Sequence, residues 1–233
     1  YGEAVVAAAK AATAARKTKI TAIQLYDPNT KDFAPILRRL TAASGRVAVR
    51  PELVPPAAAA IPVPGATAAP MPQPPLPFHA LLIADGGARL RAIADALPPH
   101  GLSAQTVQLL GTGAWDEAGL GIAEALQGGW FAAAAPAFRA AFEDRYRAHF
   151  GEPPPRLATL AYDATAVAAL AARARAGGVA LADTFADPNG FLGRDGLFRF
   201  SPAGIAERRL AVLAVEKGGV RVVSPAALSF AGS

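Results

Sequence analysis

Short apolar runs alternate with amphipathic segments along much of the chain, and this alternation limits the possible folds more than any other feature. The runs "FHALLIAD" (78–85), "VQLLGTG" (107–113) and "GGWFAAAA" (128–135) are typical of strands, and helical patterns follow them. The run "ITAIQLYD" (20–27) alternates and also predicts a strand, followed by a helix from Asp32. Short connections between alternating strands and helices predict an α/β protein, with a parallel sheet flanked by helices in three layers.

Three other segments add to this framework. Residues 51–77 are so rich in proline that they predict an extended surface insertion, either a docking segment for a proline-recognising partner or a tolerated loop expansion. Residues 156–176 predict a long helix that is apolar on almost every side and therefore needs cover all round. The segment "RRLAVLAVEKGGVRVVS" (208–224) predicts a β-hairpin, and "LFRF" (197–200) a short strand before it.

Composition excludes several classes of protein. The chain has 233 residues, 52% of them hydrophobic, which is enough to bury a core in one large domain or two small ones. Cysteine is absent, so disulfides, thiol nucleophiles and zinc fingers are excluded. The net charge is +5, but the one local basic cluster (residues 10–19) holds no aromatic residue, which argues against nucleic-acid binding. The opening "YGEAVVAAAKAATAARKTK" is too charged for a signal peptide and resembles the middle of an element, so we expect a longer precursor.

Enzyme motifs are incomplete. "GTGAWD" follows a predicted strand as a dinucleotide fingerprint would, but Asp116 occupies the third glycine position, where its side chain would repel a pyrophosphate. No phosphate-binding loop and no Gly-x-Ser-x-Gly elbow occur, and the three histidines have no partner at metal-ligand spacing. Asp85, Asp116, Glu117 and Asp195 could serve as acid and base, yet capping and turn formation explain Asp116 and Asp195 better. The sequence therefore predicts no catalytic residue, no metal ligand and no cofactor.

The order of the pieces resembles a known family. "YDPNTKDFAPILRRL", a strand ending in "ADGG", "LLGTGAWD", "GGWFAA", "FRAAFEDRYRAHFGEPPPRLATLAYDATAVAAL" and "GFLGRDGLFRF" follow one another as in the periplasmic-binding-protein type I fold, in its leucine/isoleucine/valine-type branch. Within that fold, "LLGTGAWD", "GRDGLFRF" and a hairpin closing on "RVVSPAALSF" look most like penicillin-binding-protein activators. The resemblance covers nearly the whole chain except the proline-rich insertion.

The resemblance implies two lobes and a cleft between them. Residues 1–133 and 190–230 would form most of the second lobe, with 51–77 inserted, and 134–189 would be the returning helical part of a first lobe that is largely missing. The apolar helix 156–176 would then expose a large apolar surface or bury it against another chain. The candidate cleft edge on the second lobe lies at two strand ends and comprises Asp85, Gly86, Thr112, Gly113 and Trp115.

The same resemblance implies a non-catalytic ligand-binding protein of the periplasm. A typical amino-acid binder has a glutamate after "GP", whereas this chain has Gly113 after "GT", so a natural partner for a ligand ammonium is lost. Trp115 is expected either to wall the cleft or to pack at the helix start. The loss of the carboxylate favours an envelope regulator that contacts a peptidoglycan synthase; the alternative is an importer receptor for branched-chain or related amino acids, with an ABC permease as partner. A lipobox cysteine upstream of Tyr1 would make it a lipoprotein, and helix 156–176 would be its oligomer contact.

Overall fold

A computed structural model describes residues 1–42 and 75–231. These residues form two compact units, Tyr1–Leu110 and Gly111–Ser233. Most of the proline-rich insertion (51–77) lies outside the described residues, and so its extended conformation stays a prediction. No helix in the described part of the chain combines the length and the hydropathy needed to cross a membrane.

The first unit contains one strand–helix–strand motif preceded by two helices. β1 and β2 are neighbours in one sheet and run parallel, because α3 returns the chain between them. α3 buries Leu90, Ile93 and Ala94 on one face and ends just before Pro98, as its apolar spacing and the proline predict. The elements are α1 (Gly2–Ala15), α2 (Ala34–Ala42), β1 (Ala80–Ile83), α3 (Gly87–Ala96), a 3-10 helix (Pro98–His100) and β2 (Gln108–Gly111).

The strand predicted at 20–27 is wrong. This segment has no regular secondary structure, and no described strand pairs with it, so its alternating side chains lack the hydrogen-bonded neighbour that a strand needs. The side chains of Ile23 and Leu25 are exposed, and Tyr26 is half-buried. The helix expected from Asp32 is present two residues later, where the Asp32 carboxylate accepts a hydrogen bond from the Ala34 N–H at 3.0 Å.

The second unit joins an antiparallel sheet to a helical layer. β7 pairs with β3 on one side and β8 on the other, which explains why Leu213, Ala214 and Val215 are buried. β4, β5 and β6 form a separate antiparallel sheet, of which the sequence predicted the middle strand alone. The elements are three 3-10 helices (Gly113–Trp115, Leu120–Ile122, Glu124–Leu126), β3 (Trp130–Ala133), α4 (Pro136–Phe150), α5 (Ala158–Ala176), α6 (Leu181–Phe185), β4 (Phe191–Gly193), β5 (Gly196–Phe200), β6 (Ala206–Arg208), β7 (Ala211–Glu216) and β8 (Gly219–Ser224).

The α/β class predicted from the sequence, with a parallel sheet flanked by helices, is confirmed. The sequence predicts one short helix at 120–127, but this segment forms two 3-10 helices, because Ala123 between them is extended and interrupts the helical hydrogen bonds. The apolar run 78–85 predicts a strand buried on both faces, but Leu82 of β1 is exposed.

Helix α5 is exposed along most of its surface in the described residues, although its composition predicts that it needs cover all round. Among its residues, only Thr159, Asp163, Val167 and Ala171 are buried, and their spacing of four places them in one narrow strip. On the rest of the helix, Leu170 is 48% exposed, Leu160 is half-buried and most of the alanines are exposed. The described residues therefore leave a broad apolar face of α5 uncovered, whereas its contact with an oligomer partner stays a prediction.

Candidate functional site

Asp85 follows the end of β1 and is almost fully buried, at 7% exposure. Its two carboxylate oxygens accept hydrogen bonds from three donors. Oδ1 accepts from the Gly86 N–H at 2.9 Å, Oδ2 accepts from the Tyr26 hydroxyl at 2.9 Å, and the Arg89 Nε lies 3.1 and 2.9 Å from the two oxygens. The carboxylate is thus neutralised by an arginine one turn along α3.

The same group holds the preceding loop in place. Burial raises the pKa of Tyr26, and the hydrogen bond to Asp85 and the charge of Asp85 raise it further. The Tyr26 ring packs edge-on against Phe33 with centroids 5.3 Å apart, and Arg89 donates from Nη1 to the Pro28 carbonyl at 3.2 Å. Asp85 therefore ties the segment 26–28 to the turn between β1 and α3.

The second strand end forms a tight turn. The Thr112 Oγ1 accepts from the Ala114 N–H at 3.3 Å, and the Thr112 carbonyl accepts from the Trp115 N–H at 2.9 Å, so Thr112 caps the 3-10 helix 113–115. A Cβ added at Gly113 would meet only the Ala132 carbonyl oxygen, at an ordinary 3.6 Å. Packing therefore does not require glycine at position 113.

Trp115 lies in the core of the second unit, with 0% of its surface exposed. Its ring occupies the space beside Gly111, where an added Cβ would overlap the indole, and it lies 6.2 Å from the Phe131 ring. Within the described residues, its Nε1–H has no hydrogen-bond partner. Gly111 is thus required by the packing of Trp115. Ligand contact by this side chain stays a prediction.

Asp116 is held by two arginines, one from α4 and one from the turn before α5. Arg139 of α4 makes a two-pronged contact, with Nη1 on Oδ2 and Nη2 on Oδ1 at 3.1 Å, and Arg156 donates from Nε to Oδ2 at 2.8 Å. Burial disfavours the charge of Arg139, but its hydrogen bond to Asp116 and the nearby carboxylates outweigh this and raise its pKa. A fourth member, Glu143, accepts from the Arg139 Nε at 3.1 Å.

Arg156 extends this network to the turn between β4 and β5. Its Nη1 donates to Asp195 Oδ1 at 3.0 Å and lies 3.1 Å from the Thr159 hydroxyl, which itself donates to Asp195 at 3.2 Å. The Arg208 Nη1 is 3.9 Å from the second oxygen of Asp195. Buried carboxylates need such partners, because an unpaired buried charge is strongly unfavourable.

Asp163 completes the polar interior of this unit from the buried strip of α5. Its oxygens accept from the main-chain N–H groups of Arg194 at 2.7 Å and Asp195 at 3.0 Å. An added Cβ at Gly193 would overlap the carboxylate, so glycine is needed there for the close approach. Asp163 thus fixes the turn that carries Asp195.

The sequence relationship agrees with this architecture. A sequence model of the family described as periplasmic binding protein matches residues 1–219. The chain belongs to the periplasmic binding protein family. No curated protein matches the chain in a sequence comparison.

Solved structures of periplasmic binding proteins share the fold. A branched-chain amino acid ABC transporter ligand-binding protein from Burkholderia xenovorans has a TM-score of 0.65 and 18% identity, covering 96% of this chain and 55% of its own. A branched-chain amino acid transporter substrate-binding protein from Streptococcus pneumoniae, in complex with isoleucine, has a TM-score of 0.55 and 18% identity over 93% of this chain and 56% of its own. An ABC transporter solute-binding protein from R. palustris, in complex with benzoate, has a TM-score of 0.56 and 16% identity over 95% and 55%. This chain spans about half the length of these structures.

The five residues predicted at the cleft edge of this periplasmic binding protein divide between the two compact units. Asp85 and Gly86 are hydrogen-bonded to each other in the first unit, and Thr112, Gly113 and Trp115 share one turn in the second. Their role in ligand binding stays a prediction. In the described residues, no group of three potential ligands could hold a metal ion.

Sequence reasoning missed the arginines and the aspartate that organise the second unit. Arg139 and Arg156 are 23 and 40 residues from Asp116 in sequence. Asp163 is 31 and 32 residues from its partners Arg194 and Asp195, so no local spacing indicates these contacts. One signal was available, since two aspartates in apolar surroundings require cations. The identity of those cations needed the tertiary fold.

Proposed function

We propose that this chain is part of a non-catalytic solute-binding protein that takes up a small organic molecule outside the cytoplasmic membrane. The family match over residues 1–219 carries the proposal. The carboxylates considered as acid and base support it, since Asp85, Asp116 and Asp195 are each paired with arginine. A carboxylate held in this way is a poor general base, because protonation would break its ion pair.

The lobes expected from the sequence belong to this proposal. Residues 1–133 and 190–230 would supply the second lobe and 134–189 the return of the first, with the ligand between lobes and the cleft edge at 85–86 and 112–115. Structures of similar proteins contain isoleucine or benzoate. Both ligands have a carboxylate, but only isoleucine has an ammonium group. We propose a ligand from this class of small carboxylic acids and amino acids.

The turn 112–116 bears on which of these ligands fits better. Its one carboxylate, Asp116, is already bonded to Arg139 and Arg156, and position 113 is a glycine. The turn therefore offers no available carboxylate to a ligand ammonium. This favours a carboxylic acid without an α-amino group over an amino acid.

A thermal-shift experiment on the full-length natural protein tests the proposal. Benzoate, isoleucine and leucine would be added at increasing concentration. A ligand at 100 times its dissociation constant stabilises the native state by about 2.7 kcal/mol, which raises the Tm by several degrees. We expect a saturable shift with at least one of them, larger for benzoate. The absence of a shift with any small carboxylate or amino acid, at concentrations up to tens of millimolar, would argue against a solute receptor.

A second function is favoured by the same turn. If no ligand ammonium can be held, the cleft suits a regulator that acts through protein contact, as penicillin-binding-protein activators do, and the exposed face of α5 would be available for such a contact. The partner would be a peptidoglycan synthase, and a lipid anchor upstream of Tyr1 would retain the protein at the membrane. A pull-down of purified synthases with the full-length protein would show saturable binding in this case. Ligand-induced stabilisation without synthase binding would favour the importer receptor.

A further inference from the structure

A groove on the second unit shares no residue with the candidate cleft edge. It is bounded by α6, the loop after it, and strands β5 and β6, and its volume is about 670 Å³. Pockets for small organic ligands commonly measure about 300–1,000 Å³ and combine apolar walls with a few polar groups. The groove therefore has a suitable size for a ligand of its own, whatever the family cleft binds.

Two phenylalanines give the groove an aromatic wall. Phe185 at the end of α6 and Phe200 at the end of β5 have centroids 6.0 Å apart with rings nearly perpendicular, at 86°. Phe200 is fixed from behind by the rings of Phe191 and Phe198, at 6.2 and 5.8 Å. Two prolines, Pro188 and Pro202, also line the groove. The faces of such rings carry negative electrostatic potential and attract organic cations.

The charged groups at the groove do not cancel. Arg199 is already neutralised by Glu207, since its Nε donates to Oε2 at 2.8 Å across the β5–β6 pair, and its guanidinium lies 4.4 Å from the centroid of the Phe230 ring. Asp187 is half-buried at the groove, and no cation of the described residues pairs with it. One of its oxygens accepts from the Asn189 N–H at 2.8 Å, so the side chain is held by the loop and cannot swing freely.

We propose that this groove binds an organic ammonium ion that carries an aromatic or aliphatic group. The apolar part would lie against Phe185 and Phe200, and the ammonium would face Asp187, whose carboxylate pairs with no cation in the described part of the chain. A neutral ligand would gain the apolar contact alone, and a carboxylate ligand would be repelled by Asp187. Cation binding by an aromatic wall beside one carboxylate is favourable because both groups act on the same charge.

Three probes of nearly equal shape separate these contributions. 2-Phenylethylamine is a cation at neutral pH, 2-phenylethanol is neutral and phenylacetate is an anion. Each would be titrated into the full chain, with the backbone amides of α6 and of β5 and β6 followed by NMR. We expect the amine to bind with a dissociation constant on the order of a millimolar, about tenfold more tightly than the alcohol, and phenylacetate to bind more weakly still.

Asp187→Asn is the decisive variant. The asparagine keeps an oxygen that can accept from the Asn189 N–H, so the loop is preserved while the charge is lost. The variant should lose most of the preference for the amine over the alcohol, and keep only the smaller part that the aromatic wall contributes. Asp183→Asn is the matched control, because it removes one negative charge from exposed α6 without touching the groove, and it should leave the amine preference intact.

Three results would overturn the proposal: equal affinities of the wild-type chain for the amine and the alcohol, an amine preference that is undiminished in Asp187→Asn, or amide shifts located away from α6 and β5–β6. Phe185→Leu provides a second readout that does not depend on Asp187. It keeps an apolar surface but removes a ring, so it should weaken the binding of the cation benzyltrimethylammonium several-fold more than the binding of neutral 2-phenylethanol.

Discussion

Arg156 is predicted to be the most important single side chain for the stability of the second unit. Replacing it by methionine keeps an apolar stem of similar length but removes the hydrogen bonds to Asp116, Asp195 and Thr159. The two carboxylates are only 8% and 7% exposed, so water cannot fully replace the lost donors. Breaking a buried ion pair costs about 3–5 kcal/mol, and because the Arg156 side chain is 35% exposed we expect about 2–3 kcal/mol here.

Urea unfolding of the chain, followed by circular dichroism, measures this loss. Arg173→Met is the control, since Arg173 lies on the exposed last turn of α5 and no carboxylate of the described residues pairs with it. A surface change of this kind costs about 0.5 kcal/mol or less. A double-mutant cycle with Asp195→Asn should give a coupling energy of about 1–3 kcal/mol. If Arg156→Met destabilises the protein no more than Arg173→Met, the network contributes nothing beyond solvated surface pairs and the reasoning is wrong.

Two further substitutions test the packing and the titration of particular residues. Gly111→Ala would place a Cβ inside the Trp115 ring and should cost about 1–3 kcal/mol with a change in tryptophan fluorescence, whereas Gly113→Ala, with 3.6 Å to the nearest atom, should be nearly neutral; equal effects would contradict the packing role. Tyr26→Phe removes the hydrogen bond to Asp85 and should cost about 1 kcal/mol at neutral pH. The folded-state pKa of Tyr26 is raised above its usual 10.0, so the stabilisation by its neutral hydroxyl is complete below pH 10 and is lost as the pH rises further. The difference in unfolding free energy between wild type and Tyr26→Phe should therefore shrink above pH 10. If this difference is independent of pH from 8 to 11.5, Tyr26 titrates normally and the reasoning is wrong.

The sequence predicted most of the elements whose signals are local. Pro136 at the first turn and Gly151 at φ +77° bracket α4, and the turn Lys217–Gly218 joins β7 to β8, as the pattern indicates. The strand at 20–27 failed because a strand also needs a partner, which alternation alone cannot supply. β4 and β6 were missed because three residues carry too little periodicity to be recognised.

The candidate site was predicted less completely for a related reason. Asp85 was correctly placed at a strand end, but its partners Tyr26 and Arg89 reach it from 59 residues earlier and from the next helical turn. Only the second of these could have been proposed from spacing. The arginine partners of Asp116 and Asp195 are distant in sequence. Local sequence therefore indicated only helix capping and turn formation for these two aspartates. Ion pairs with long sequence separation depend on the completed fold.

This distribution of charge separates structural carboxylates from those that can act on a ligand. In the second unit, Asp116, Asp163 and Asp195 each accept hydrogen bonds from arginine or from main-chain N–H groups. These carboxylates therefore stabilise the contacts between turns and helices. Asp187 differs because it accepts a loop N–H but faces no cation of the described residues. A carboxylate of the first kind destabilises the protein when it is neutralised, and one of the second kind changes ligand affinity and leaves stability nearly constant. Comparing Asp195→Asn with Asp187→Asn in both assays tests this separation directly. Asp195→Asn should lower the free energy of unfolding and leave the amine affinity unchanged. Asp187→Asn should lower the amine affinity and leave the free energy of unfolding nearly unchanged.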